Sequence, residues 1–216
     1  MKKLYGVIKF LFDEIISFLA LIILFVPFIV IGVIIKCSSK GPVFFKQNRV
    51  GKNKKIFKMH KFRTMRQDTP HNVPTHMLKN PDAYITKIGK FLRKTSLDEL
   101  PQIIDIFRGK MSIIGPRPAL YNQDDLIALR DKYNANSVRP GLTGWAQING
   151  RDSISIEEKA KLDGYYVANY GLKMDLRCFF KSVSSVIGEE GVVEGGTGTL
   201  EQQAESAVTN NVEEDK

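Results

Sequence analysis

Between Ile15 and Ile35 the chain reads IISFLALIILFVPFIVIGVII, 21 residues without a charge. As one helix this run is about 31 Å long, the thickness of a bilayer's hydrocarbon core. It is apolar all round, whereas a buried helix of a soluble protein keeps a polar stripe. It is also too long for a signal peptide, and no small-x-small cleavage site follows it. Membrane insertion is therefore the expectation that most limits the fold. Pro27 stands mid-run, where its missing N–H leaves the Ile23 carbonyl without its intrahelical partner and kinks the helix. Lys2, Lys3 and Lys9 precede the run, and Lys36–Arg66 holds eleven Lys/Arg and no acid. Basic flanks mark the cytoplasmic side, so both ends ask for the same face. A helix that enters, bends at Pro27 and returns satisfies both. A simple span with the short N-terminus outside stands level with it at this point.

Charge narrows the partners. The net +9 over 216 residues hides a −7 tail from Glu189 to Lys216, which leaves +16 on the rest. So basic a body calls for an anionic partner: nucleic acid, an anionic membrane face or phosphorylated substrates. Cys37 and Cys178 are far apart with no CxxC partner, which excludes a disulfide framework and a Cys-rich zinc site. From Gly188 onward glycine and acids dominate without periodicity, the pattern of a disordered acidic tail.

Within the basic stretch, KIFKMHKF alternates apolar and basic residues and predicts a strand with one wet face. Lys61 and Arg63, two apart, would project to the same side and suit either a diphosphate or lipid headgroups. Stacking of Phe57 and Phe62 on single-stranded nucleic acid is disfavoured by the membrane anchor. The following segment QDTPHNVPTHMLKNPDAY contains His71 and His76. With no cysteine or carboxylate at ligand spacing it reads as a surface loop, not a zinc site.

The stretch Ile88–Leu120 carries the chemistry. Asp98 and Glu99 are adjacent acids in a basic protein, inside SLDELPQ. Ser96-x-x-Glu99 fits a capping box, but a helix from Leu97 would bury Pro101 in its interior. Proline belongs at the first helical position, so the helix runs from Pro101 to Arg108, closed by Gly109. That leaves the two acids in the turn at a helix N-terminus, with Arg93 and Lys94 just upstream. MSII reads as a short buried strand leading into Gly115-Pro116-Arg117-Pro118. Two prolines make a stiff turn that presents Arg117 either as a fork for phosphate or as a solvated structural residue. Farther on, RPGLTGWAQINGR combines turn residues with Arg139, Trp145 and Arg151. Leu176–Ile187 predicts a last amphipathic helix, core-packed or lying on the membrane.

KGPVFFKQNRVG, KFRTM, SLDELPQ, MSIIGPRP and RPGLTGWAQINGR occur in that order. Together they resemble the small monotopic phosphoglycosyl transferases of the bacterial sugar transferase family, from about Lys9 to Ile187. The likeness is greatest to members that initiate capsule or exopolysaccharide synthesis. It implies a mostly helical α+β protein: a re-entrant membrane hairpin (1–40), a compact cytoplasmic catalytic domain with short strands (41–188) and the acidic tail (189–216). The implied reaction moves a sugar 1-phosphate from a UDP-sugar to polyprenyl phosphate at the cytoplasmic face of the bacterial inner membrane, releasing UMP. Membrane lipids are then partners, nucleic acid is not, and a homodimer is allowed. On the family's pattern Asp98 is the nucleophile that forms an aspartyl-phosphosugar, and Glu99 holds Mg²⁺. Arg93 and Arg117 bind phosphate, with Lys61, Arg63 and Arg139 as further phosphate-neutralising cations. The family's Ser-Pro hinge falls on Val26-Pro27, and Phe10 stands where an arginine is usual.

Overall fold

The computed structural model describes residues 2–69, 83–150 and 154–187. His71, His76, Arg151 and the acidic tail lie outside them. The fold is mostly helical α+β with short strands. Helix α1 (Lys2–Ile23) and helix α2 (Phe25–Ser38) meet at a 61° bend. The bend sits at Leu24, one turn ahead of Pro27. Hydrogen bonds run from Leu24 N–H to Ala20 O and from Phe28 N–H to Leu24 O, both 2.8 Å, while Pro27 has no N–H for the Ile23 carbonyl. Neither helix alone is long and apolar enough to cross a membrane, although the bent pair passes together.

Helix α1 is inside out. Lys9, Asp13 and Ser17, spaced by four, are buried, while Val7, Ile8, Leu11, Phe12, Ile15 and Ile22 are each more than half exposed. The buried polar stripe is fully engaged. Lys9 Nζ and the Tyr5 hydroxyl each donate to Asp175 Oδ2 at 2.6 Å. Asp13 accepts from the Ser112 hydroxyl (2.7 Å) and from Arg139 Nη2 (2.9 Å), and the Ser17 hydroxyl bonds back to the Glu14 carbonyl.

Beyond α2, strands β1 (Phe44–Val50) and β2 (Ile56–Phe62) pair antiparallel, Phe44 opposite Phe62 and Val50 opposite Ile56. The strand expected from the KIFKMHKF alternation is therefore present. Next come α3 (Lys87–Lys94), a single 3₁₀ turn (Leu97–Glu99) and α4 (Gln102–Phe107). Pro101 precedes α4 and Gly109, with φ +67, closes it, as the proline placement implies. Strand β3 (Ser112–Ile114) is followed by α5 (Asp124–Lys132) and then by β4 (Gly141–Thr143), which pairs parallel with β3. Helices α6 (Trp145–Ile148), α7 (Ile156–Ala168) and α8 (Leu172–Ile187) complete the fold. Helix α8 starts a turn earlier than the apolar pattern suggests. Asp175 breaks that pattern because it is the buried partner of Lys9, Tyr5 and Tyr166. Trp145 stacks on Tyr165 and packs against the Ile114–Tyr166–Met174–Cys178 cluster.

The core that sets the site is the contact of α2 with β2 and α3. Ile35, Phe62 and Leu92 are fully buried there, surrounded by Phe28, Val43, Phe44, Leu97 and Leu100. Burying three such side chains contributes about 1.5–3 kcal/mol each. It fixes the end of α2, the end of β2 and the turn carrying Asp98 to one another.

Candidate active site

Ser96 closes α3 in the left-handed region, with φ +56. For a residue with a Cβ that conformation costs about 1–2 kcal/mol, and it occurs one residue before the turn bearing the two acids. The Ser96 side chain makes no cap bond, so the capping box does not form. The turn is held instead by Ser96 N–H to Arg93 O and Glu99 N–H to Ser96 O. Asp98 is 8% exposed and Glu99 partly buried.

Cations converge on the pair. Lys61 Nζ donates to Glu99 Oε1 at 2.7 Å and lies 3.8 Å from Asp98 Oδ2. Arg117 Nη2 donates to the same Glu99 Oε1 at 2.9 Å. Arg93 Nε donates to Thr64 Oγ1 at 2.9 Å, which ties α3 to the end of β2 and keeps Arg93 near enough to act on Asp98. Burial is the largest influence on Asp98 and pushes its carboxyl up. Lys61 opposes the rise, Glu99 adds to it, and Arg93 and Arg117 oppose it too. Burial would also raise Glu99, but Arg117 and Lys61 outweigh it and hold that carboxyl well below the usual range. Two neighbouring carboxylates are thus pushed apart: a fixed anion at Glu99 and a more basic one at Asp98. That separation is how paired acids divide roles.

Two of the expected cations are elsewhere. Arg63 does not share a face with Lys61. Strand β2 ends at Phe62, and the Arg63 guanidinium turns to the backbone where the chain leaves α2, donating to Ser39 O (2.7 Å), Lys40 O (2.6 Å) and Ser39 Oγ (2.9 Å). Gly41, with φ +127, lets it pass; a Cβ there would strike Arg63. Arg139 donates to Asp13 and to the Met111 carbonyl, and its guanidinium lies 4.6 Å from the centre of the Phe10 ring. Phe10 thereby offers its ring face to a cation. No local pattern marks Thr64 as the holder of Arg93, and none marks Asp105. Asp105 accepts both the backbone N–H of His60 (2.8 Å) and a ring contact at Nδ1 (2.7 Å), clamping β2 to α4 beside Lys61.

A hard divalent cation fits this donor set. Among the described residues no three His, Cys, Asp or Glu side chains converge, so the protein offers Glu99 and its neighbour Asp98. Mg²⁺ is commonly held by one or two carboxylates with substrate phosphates completing its shell. Lys61 and Arg117 meet on the same Glu99 oxygen, Oε1.

Known proteins point the same way. The family model for bacterial sugar transferases matches residues 4–189. The exopolysaccharide production protein ExoY of Sinorhizobium fredii is 38% identical over 195 residues, 84% of this chain and 86% of that protein. The sugar transferase EpsL of Bacillus subtilis is 39% identical over 173 residues, 78% of this chain and 82% of its own. The UDP-glucose:undecaprenyl-phosphate glucose-1-phosphate transferase of Xanthomonas campestris is 37% identical over 193 residues, 86% of this chain but 40% of the larger enzyme.

Proposed function

The chain belongs to the bacterial sugar transferase family, and from that premise we propose that it moves a sugar 1-phosphate from a UDP-sugar to undecaprenyl phosphate. The observation that carries the reading is the largely buried Asp98–Glu99 pair, ringed by Lys61, Arg93 and Arg117. Both substrates are anions, and a negatively charged nucleophile attacks phosphorus only where their charge is offset.

Asp98 attacks the phosphorus that bears the sugar. A carboxylate-oxygen-to-phosphorus bond forms, the bond to the bridging oxygen breaks, and UMP leaves with the electron pair. An oxygen of undecaprenyl phosphate then attacks that phosphorus, restores the Asp98 carboxylate and yields undecaprenyl diphosphate-sugar. Splitting the transfer means that lipid and nucleotide need not be bound together. A more basic carboxylate is the better nucleophile, and the nearby cations oppose its protonation. Arg117 offers a fork to phosphate oxygens, Arg93 and Lys61 add charge, and Glu99 orients Lys61 and Arg117 and would be the residue to hold Mg²⁺. When bound, Mg²⁺ offsets negative charge on the diphosphate. Arg63 and Arg139 act differently from phosphate binders, each fastening a helix of the bent pair.

Residues 1–40 form the membrane anchor in this reading, 41–188 the cytoplasmic catalytic domain, and 189–216 an acidic tail. An inside-out α1 supports the anchor: apolar outward, with its polar groups spent on the catalytic domain. The 61° bend and basic residues on both flanks support a re-entrant path with both ends cytoplasmic. The acceptor's phosphate lies at that same interface. A panel of UDP-sugars, UDP-glucose included, tests the function by UMP release from the full-length protein with Mg²⁺ and undecaprenyl phosphate. Failure of every donor would favour the alternative, a membrane-surface lipid-binding scaffold without catalysis, in which the basic face grips headgroups.

A further inference from the structure

Arg117 stands between two prolines, and neither has an N–H to give. Their backbone can be fastened only through its carbonyl oxygens. One of these, Pro116 O, accepts Gly141 N–H at 2.9 Å. The other, Pro118 O, accepts Nη1 of Arg49 on β1 at 3.0 Å. Just beyond, Ala119 O accepts Val50 N–H at 2.9 Å, and Leu120 bridges antiparallel to Arg49. Residues 118–120 thus lie along β1. The other arm of the Arg49 guanidinium, Nη2, donates to Gln47 Oε1 at 2.7 Å, two residues back on the same face of the strand. One planar group therefore links β1 to the Arg117 turn with one arm and is held in orientation by the other. Arg117 in turn reaches Glu99.

We propose that Arg49 is a positioning residue: through the Pro118 carbonyl, and steadied by Gln47, it sets Arg117 against Glu99. The consequence for turnover rests on the reading of Arg117 as a phosphate-binding residue. A fork can donate to two acceptors at a fixed angle, whereas an ammonium is a single point of charge. A merely structural Arg49 would change stability and affect every variant alike. A positioning Arg49 acts only while Arg117 is there to be positioned.

The experiment is a double-mutant cycle on the full-length protein, following UMP release and thermal unfolding. Arg49→Met is expected to lower kcat/KM for the UDP-sugar about tenfold, chiefly through KM, with Arg49→Lys recovering part of it. In an Arg117→Lys background, Arg49→Met is expected to change kcat/KM by less than about twofold. Equal losses in both backgrounds, or wild-type kinetics for Arg49→Met, would overturn the proposal. Should Arg49→Met fail to fold, Gln47→Met is read in the same cycle, with a loss of about threefold expected only when Arg117 is present. Hydrogen exchange separates this idea from the functional reading. Segment 115–121 is expected to exchange faster in Arg49→Met or Gln47→Met even if the wild type turns over no UDP-sugar, and unchanged exchange there would sink the positioning role by itself.

Discussion

Asp13 on α1 and Ser112 on β3, 99 positions apart in sequence, meet through a 2.7 Å hydrogen bond from the serine hydroxyl. Ile113 N–H and Arg139 Nη2 donate to the same carboxylate, at 3.3 Å and 2.9 Å. The strand that leads into the Arg117 turn is therefore fastened directly to the helix proposed to enter the membrane. The proposed anchor is thus joined to the rest of the fold by buried side-chain bonds and not only by the chain that follows α2.

Asp13→Asn tests that union. The amide keeps the shape but leaves the Arg139 guanidinium without its counter-charge in a site where Asp13 is 1% exposed. Breaking a buried pair on one side costs about 3–5 kcal/mol. The expected result is a lower unfolding temperature for the detergent-solubilised protein, with activity falling in step. Wild-type stability would mean that the domain holds β3 without help from α1.

The far end of the bent pair has its own fastener. Arg63→Met is expected to remove the donors from the carbonyls at the end of α2, at about 1–3 kcal/mol for acceptors left unpaired. Gly41→Ala should do the same without touching the arginine, because a Cβ at φ +127 meets its guanidinium. Similar losses of thermal stability in the two variants are the expected outcome. A tolerated Gly41→Ala would show that Arg63 has another route to the helix end.

Topology is open to thiol labelling. Cys178 is buried, and burial, then Asp175, push its thiol up to about 12. The thiolate is the reactive form, so a raised pKa leaves Cys178 silent at pH 8 in the folded protein. Exposed Cys37 at the end of α2 then reports the cytoplasmic side. With Lys3→Cys added, an impermeant maleimide is expected to spare both sites in intact cells and to modify both once the membrane is opened. Labelling of position 3 alone in intact cells would establish a simple span. Pro27→Leu restores the donor for Ile23 and is expected to produce that labelling.

How much of this was legible in the sequence follows from the range of the forces. Local signals were readable: alternation placed β2, Pro101 separated the two acids from α4, and charge-free length marked the bent pair. Partners chosen across the chain were not. Lys61 and Arg63 sit two apart, yet one serves Glu99 and the other the end of α2, because β2 stops between them and the backbone leaving α2 supplies carbonyls. The resemblance implies a phosphate cation at Arg139, but its partner Asp13 lies 126 residues away. No local pattern encodes such a pairing.

Arg117→Lys separates fork from charge. Lysine retains a cation near Glu99 but cannot present two parallel N–H groups to phosphate. Activity is expected to fall about tenfold or more, equivalent to about 1.4 kcal/mol. The unfolding temperature should not change, since Arg117 is partly exposed. Near-normal turnover would return Arg117 to a structural place in its stiff turn.

Asp98→Asn bears on the nucleophile itself. The amide is nearly isosteric, so it removes the anion while sparing the turn. Ser96 contributes no cap bond there, so a pure capping effect, worth about 1 kcal/mol, is not what the substitution would disturb. The expected outcome is a folded protein that releases no UMP, even in a single turnover without lipid. Glu99→Gln should also be nearly inactive, by a different route: it removes the anion that Lys61 and Arg117 share and weakens the hold on Mg²⁺, so high Mg²⁺ should restore part of the activity. Given radiolabelled UDP-sugar and no acceptor, the wild type should retain label as an acyl phosphate that hydroxylamine releases, and Asp98→Asn should retain none. The charges around the dyad make this a test of chemistry and not only of binding. If Asp98 merely helped hold substrate, its amide would join three nearby cations with one less negative charge to oppose them, and the anionic donor would bind more tightly, with turnover preserved. A folded Asp98→Asn that still releases UMP would therefore remove the covalent step from the mechanism.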